Sequence, residues 1–461
     1  MNTDIFRTSR YLLPVVVTGI FALVTPTFGQ VINEDVKLLP SDGAGNNRFG
    51  SSISISDGVV AVGANSDNDN GSNSGSAYLF DAATGVQLFK LLPSDGAGGD
   101  VFGWSIAIAD GVVAVGAQSD DDNGSNSGSA YLFDAASGVQ IFKLLPSDGA
   151  AGDQFGWSIA IADGVVAVGA QSDDDNGSNS GSVYLFDAST GVQIDKLLPN
   201  DGDVGDLFGY SVAIDNGVVA VGAYLDDANG GSSGSAYLFN AATGVQTAKL
   251  LPSDGVGGDN FGYSIAMADG IVAVGMRLDD ENGSNSGSAY TFNASNGLQI
   301  AKLITDDGAA HDHFGYSIAI SDGVVAVGSR LDDDIDNGGD SGSAYLFDAA
   351  TGVQITKLLA SDGSAANEFG YSIGIDNGVV VVGAHQDNDN GSNSGSAYVF
   401  TVPGEDCPAD LTGDGILNFF DISAFLSAFA SGDPIADITD DGVYDFFDVS
   451  AFLQLFAAGC P

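Results

Sequence analysis

The chain has 461 residues, a hydrophobic fraction of 44%, and 61 acidic against 12 basic residues, for a formal net charge of −49. Such a surface repels nucleic acid and anionic lipid, so no nucleic-acid partner is expected; the hydrophobic content and 9% aromatics exclude a disordered polyanion. Sixty-six glycines and only 3 histidines indicate many tight turns and a sparse catalytic inventory.

Residues 1–29 read as a signal peptide. Arg7 and Arg10 give a basic start, Tyr11 to Val24 is an apolar run broken by Pro14, and Thr27 and Gly29 offer small residues for cleavage near Gly29. The run is too short and too broken to span a bilayer. A secreted or cell-surface protein of bacterial type, with no transmembrane segment in the mature chain, is expected.

Residues 31–402 are periodic. A Phe-Gly pair recurs at Phe49, Phe102, Phe155, Phe208, Phe261, Phe314 and Phe369, five times at a spacing of 53 and once at 55. Within one period, FGWSIAIA alternates large and small residues and ends on the two-residue turn Asp163-Gly164. VVAVGA reads as a buried strand, QSDDDNGSNSG as a polar loop, and SVYLFDA and VQIDKLL as two further strands about the turn STG. Four short antiparallel strands per period predict an all-β, seven-bladed β-propeller. The last unit stops at Phe400, whereas Val36 to Leu39 precedes the first unit as a fourth strand without a blade. The N-terminal strand is therefore expected to complete blade seven and close the ring. Lys37, Lys90, Lys143, Lys196, Lys249, Lys302 and Lys357 all fall at one position of the outer strand, where they are expected to guard an exposed edge.

The units resemble the FG-GAP repeats of integrin α-subunit propellers and of bacterial surface proteins, on Phe-Gly, on the Val-Gly-Ala that ends the second strand, and on Gly-Ser-Ala-Tyr-Leu-Phe. Integrin-type repeats carry an Asp-rich calcium loop between the first two strands. Here that connection is a bare Asp-Gly or Asn-Gly turn, so calcium at that place is not implied.

Strand alternation puts the loop between strands two and three, and the loop into the next blade, on one acidic face. Most of these loops are near-copies, so the exceptions carry the information. After the Val-Gly of strand two, Asn65, Gln118 and Gln171 give way to Tyr224, Arg277, Arg330 and His385. His311 and His313 precede the sixth Phe-Gly and Arg48 the first. Arg48, Tyr224, Arg277, Arg330, His311, His313 and His385 form the candidate patch for an unknown ligand. His311 and His313 would also share one side of an extended strand, as a weak metal pair. A two-residue insertion spaces Asp332, Asp334, Asp336 and Asp340 at loop positions 1, 3, 5 and 9, a second candidate site, for calcium.

Residues 403–461 change character. Asp410, Thr412, Asp414, Asn418 and Asp421, with the carbonyl of Ile416, stand at positions 1, 3, 5, 9, 12 and 7 of a cation loop. Asp437, Thr439, Asp441, Asp445 and Asp448, with the carbonyl of Val443, repeat the pattern 27 residues on. Gly415 and Gly442 occupy position 6, where the sharp turn needs glycine. An amphipathic segment follows each loop. Two such half-hands resemble a dockerin, a small α-helical EF-hand-like module. The resemblance implies calcium as cofactor and a cohesin-like or other cell-surface protein as partner. Thr412 and Thr439 depart from the usual Asn or Asp. Phe419-Phe420 and Phe446-Phe447 stand where cellulosomal dockerins choose partners, and one member of each pair is expected in the core. Cys407 and Cys460 bracket the segment as in the Cys-flanked, GC-type dockerin-like tails of bacterial surface proteins. The implied disulfide would contribute roughly 4 kcal/mol.

The first functional expectation is a non-enzymatic binding or scaffold protein anchored through its tail. A polysaccharide-active extracellular enzyme carrying a dockerin is the alternative, and an acidic cation buffer is the third.

Overall fold

The computed structural model describes residues 31–32, 34–333, 337–402, 409, 411, 419–432, 434–439 and 442–458. The repeats form seven antiparallel sheets that follow one another in chain order. Each first strand packs against the first strands of both neighbouring sheets, including that of the last sheet against that of the first. The architecture is a seven-bladed β-propeller.

Blade three shows why the sequence folds this way. Its strands are Phe155–Ala162, Val165–Ala170, Ser182–Asp187 and Gln193–Leu197. Val165–Ala170 lies between two strands and between two blades, so it is buried on both faces and reads as an unbroken apolar run. Asp163 and Gly164 both adopt positive φ (54° and 72°), the requirement of a type I′ hairpin.

The blades join large face to small face. Phe155, Tyr184 and Phe186 of blade three pack with Ala107, Ala114, Ala130 and Leu132 of blade two. Phe155 meets both partner rings edge-on, at 5.5 and 5.7 Å. The same trio recurs in every blade, which explains Phe-Gly and Tyr-Leu-Phe as parts of one interface. Backbone stitches it further: Gly181 pairs with Phe208 of the next blade, and a Cβ there would lie 2.0 Å from the Phe208 carbonyl oxygen.

The seventh sheet takes Val36–Leu38 as its outer strand, antiparallel to Ser396–Thr401, with Lys37 opposite Tyr398. Leu38, Val381, Ala397 and Val399 then pack with Phe49, Tyr78 and Phe80 of blade one. Glu34 accepts from the Ser361 amide (3.1 Å), as a strand-four glutamine does elsewhere, for example Gln193 from the Ser147 amide (2.9 Å). The sequence pattern gave no sign of one further strand: Val31–Ile32 pairs in parallel with Gln354–Leu358 of blade six.

In the tail, α1 (Phe419–Ser431) and α2 (Phe446–Ala458) enclose a small core in which Phe425 and Phe452 stack at 4.1 Å and 7°. No described helix is long and apolar enough to cross a membrane. The expected burial of one phenylalanine of each pair is corrected for the second. Phe446 and Phe447 are 75% and 67% exposed, because Phe425, Phe429, Phe452 and Phe456 already fill the interior.

Candidate ligand site at the mouth of the channel

The lysines are the first surprise on the acidic face. Each side chain is only 15–21% exposed, so none guards an open edge. Lys90 lies over the Tyr78 ring and pairs with Asp42 (2.6 Å), Asp67 (2.9 Å) and Asp69 (2.5 Å). Asp42 comes from the loop entering blade one, and Asp67 and Asp69 from its strand-two loop. The Tyr78 hydroxyl donates within the same cluster, to Asp42 (3.0 Å) or Asp67 (3.1 Å). All seven blades repeat this arrangement with two or three carboxylates. Burial alone would lower the ammonium pKa, but the carboxylates outweigh it and raise all seven lysines. The acidic loops are therefore held by internal lysines.

Nearer the axis the blades differ. Phe155 and Ser158 bracket a bulge in strand one, so Gly156 and Trp157 fall outside the ladder and the indole is re-aimed. The equivalent residues touch in succession: Trp104–Trp157 at 4.9 Å, Trp157–Tyr210 at 5.5 Å, Tyr210–Tyr263 at 4.9 Å, then Tyr263–Tyr316 and Tyr316–Tyr371 at 5.2 Å. Blade one breaks the arc with Ser51. Farther in, Ile-Ala-Ile and related triplets of all seven first strands line a channel of about 200 Å³.

The residue before each Phe is held at positive φ in every blade, between 54° and 60°, although it is Arg48, Val101, Gln154, Leu207, Asn260, His313 or Glu368. One strained backbone thus presents seven different side chains. A second tier packs on the arc. Tyr224 meets Tyr210 at 4.4 Å, Arg277 lies over Tyr263 at 4.0 Å, Arg330 over Tyr316 at 4.4 Å, and His385 lies against Tyr371 at 3.7 Å, tilted by 36°. Arg330 also pairs with Glu368 at 2.7 Å, and Gln386 donates to the same carboxylate. Arg48, Asn46, Ser66 and Val101 line a cavity of about 400 Å³ on this face, between blades one and two.

Burial first, then Arg330, Arg277 and His311, pushes His313 down to about 4; burial, then Arg48 and Arg330, pushes His385 down to about 3. Both imidazoles are neutral at neutral pH. Among the described residues, several buried atoms here find no hydrogen-bond partner: Gln118 and Gln171 Oε1, Arg277 and Arg330 Nε, His313 and His385 Nδ1. An uncompensated polar atom costs about 1–3 kcal/mol, so such a cluster needs a reason.

The structure thus brings Arg48, Tyr224, Arg277, Arg330, His313 and His385 to one mouth. His311 stands apart, exposed, with Nδ1 3.5 Å from the Asn285 amide nitrogen. The expected extended His311–His313 pair is corrected: both lie in a loop at φ 77° and 55°. Sequence reading missed the aromatic arc. Its signal was the residue two places after each Phe, where Trp or Tyr stands in six units of seven.

Of the insertion loop, Asp334 and Asp336 lie outside the described residues. Asp332 is the blade-six equivalent of Asp67 and accepts from Tyr345 and Lys357, both at 2.8 Å. Asp340 donates its amide to Asp333 (2.8 Å). In the tail, Asp410, Thr412, Asp414, Ile416, Asn418, Asp441, Cys407 and Cys460 lie outside the described residues. The described part of the second loop makes a tight turn. Asp437 accepts the Gly442 amide across the turn (2.8 Å), and Gly442 takes φ 76°. Asp448, fully buried, accepts from the Thr439 amide (3.1 Å), the Thr439 hydroxyl (2.9 Å) and the Asp445 amide (2.8 Å), which hold its carboxyl below its usual range. Asp421 is buried likewise at the end of the first loop. Among the described residues no three His, Cys, Asp or Glu side chains are grouped so as to hold a metal ion.

The family described as FG-GAP repeat matches residues 32–80, 86–133, 139–186, 192–239, 245–292, 298–347 and 353–400. No curated protein sequence matches the chain. Among solved structures, the crystal structure of the computationally designed Ika8 protein aligns over 81% of this chain and 100% of that one, at 14% identity and a TM-score of 0.47, too slight a likeness to bear on function.

Proposed function

The chain belongs to the FG-GAP repeat family, and from that premise we propose that it is an exported, non-enzymatic binding protein whose ligand seats on the mouth of the channel. One observation carries the reading. Among units that are otherwise near-copies, side-chain variety gathers at the mouth, on a strained and repeated backbone. Stability needs no such variety; recognition does, because a ligand without sevenfold symmetry makes different demands of each blade.

The N-terminal segment directs export, and Val36–Leu38 locks the ring by completing blade seven. The tail binds two Ca²⁺, through Asp410, Thr412, Asp414, Ile416, Asn418 and Asp421 and through Asp437, Thr439, Asp441, Val443, Asp445 and Asp448. It anchors the propeller to a cohesin-like or other surface protein, with exposed Phe446 and Phe447 as a docking edge. A Ca²⁺ held by Asp332, Asp334, Asp336 and Asp340 would have to displace Lys357, so that site is subsidiary.

Two measurements test this. Trp104 and Trp157, the chain's only tryptophans, both lie in the arc, so a cell-envelope fraction containing the ligand should shift tryptophan emission. Surface proteins should be captured by the full chain in calcium and lost in chelator. Unchanged emission defeats the mouth as a site, and calcium-independent capture defeats the anchor.

A further inference from the structure

Given that the mouth is a ligand site, we propose that its ligand is an acidic carbohydrate, sugar rings that carry carboxylates. The proposal starts from where positive charge is left over. In a chain with 61 acidic residues, each lysine is surrounded by carboxylates of the rim. Arg330 is shared with Glu368. Arg277 and Arg48 have no carboxylate within 4 Å among the described residues, and both stand at the mouth. An arginine without an acid partner in so acidic a protein is reserved for an acid from outside.

The aromatic faces that could have caged a cation are already taken. Tyr263 and Tyr316 are covered by the protein's own guanidiniums. Arg277 keeps a buried Nε without a partner, and a guanidinium without an acid is what a carboxylate complements. This half of the mouth, blades five to seven and one, selects an anion.

The other half, blades two to four, is uncharged. Trp104, Trp157 and Tyr210 offer half-buried ring surface, and Gln118 and Gln171, 7% and 6% exposed, carry amide oxygens without a donor. Flat C–H faces of sugar rings cover aromatic surface, and their hydroxyls supply donors. An acidic side chain of a peptide would use the arginines and leave the tryptophans and amides idle. The net charge does not forbid the encounter, since salt screens the acidic rim within about 8 Å at physiological ionic strength. An anion that reaches the mouth meets guanidinium first.

The test uses the full chain and three probes: oligogalacturonate, its methyl ester, which keeps the rings and loses the charge, and a glutamate-rich peptide of equal charge. Tryptophan emission and calorimetry are the readouts. Oligogalacturonate should bind and shift the emission, and the ester should bind about tenfold more weakly or worse, the loss of a charge-assisted contact. Arg277→Gln should erase most of that difference. Arg48→Gln, at an exposed position, does the same without risk to folding, and circular dichroism verifies both variants. Equal binding of the ester, or a peptide that binds as tightly as oligogalacturonate, overturns the acidic carbohydrate. If all three probes are silent while the envelope fraction still shifts the emission, the ligand class is wrong and the mouth remains a site. If the envelope fraction is silent too, both readings fall.

Discussion

The rim and the mouth of this propeller lie on the same face and are built from the same loops, yet the repeats treat them oppositely. At the rim every blade places a lysine over a tyrosine and between aspartates, and the seven clusters are nearly superposable in chemistry. At the mouth every blade uses the same positive-φ position, but the side chains change from Trp to Tyr and from Gln to Arg to His. Where a contact lies within a blade and its neighbour, the same solution serves seven times. Where the contact faces a shared axial space, repetition would give a sevenfold-symmetric surface, and variety breaks it. Rim changes should therefore cost stability, and mouth changes should cost binding.

The largest effect is expected from a rim residue of blade four. Ala228 stands where five other blades supply a third carboxylate, so among the described residues Lys249 pairs with Asp201 and Asp226 alone. Asp226→Ala strips one of two partners from a buried pair and should destabilise by about 3 kcal/mol. Denaturant unfolding measures this, and a loss below about 1 kcal/mol breaks the claim that the rim holds the fold.

A pH titration of the thermal midpoint comes next. Burial, partly offset by a backbone hydrogen bond and reinforced by neighbouring aspartates, pushes Asp206 and Asp312 up to about 6. Between that value and the ordinary 3.8 these two groups bind more protons in the folded chain than in the unfolded one, so their contribution to stability rises as pH falls from 7 toward 4, against the opposite contribution of His313 and His385, which bind fewer protons in the folded chain below 6.5. Asp67, Asp226 and Asp387 are shifted the other way, with Ser76, Tyr237, Lys90, Lys249 and Lys37 overcoming burial. Their contribution is present above 3.8 and is lost as pH drops through their lower folded values. Asp206→Asn with Asp312→Asn should remove the carboxylate contribution, so that the variant loses stability relative to the parent as pH falls from 7 toward 4. A variant whose midpoint follows pH with the same slope as the parent's contradicts the assignment.

At the mouth, Arg277→Gln removes one cation–π contact and should change stability by less than about 1 kcal/mol. A larger loss would make Arg277 part of the scaffold and blur the distinction between mouth and rim. The smallest effect is a gain. Ala228→Asp restores the third carboxylate of blade four at an exposed position, and should stabilise by at most about 1 kcal/mol in low salt, less in high.

Much of the blade was readable because its grammar is local. Asp163-Gly164 dictates a hairpin, VVAVGA dictates a strand buried on both sides, and the Phe-Gly period gives seven units. The lysines were placed in the right strand but given the wrong surroundings. Lys90 is an edge residue by sequence, and the carboxylate that covers it, Asp42, comes from 48 residues earlier, in the loop that enters the blade. The arginines and histidines were marked as exceptions from sequence alone. The Trp and Tyr arc beside them was not, since alternation along a strand does not tell where a side chain points once a bulge interrupts it.

The sequence by itself determined the strands, their turns, the number of blades and the face that carries variety, because each depends on residues a few positions apart. Only the tertiary structure decided that the acidic loops are pinned by internal lysines and that one aromatic residue from each of six blades meets its neighbours round a common mouth. Those contacts join positions about one repeat apart. Their distances depend on how tightly the blades pack and on the ring closing on itself, and no local pattern encodes either.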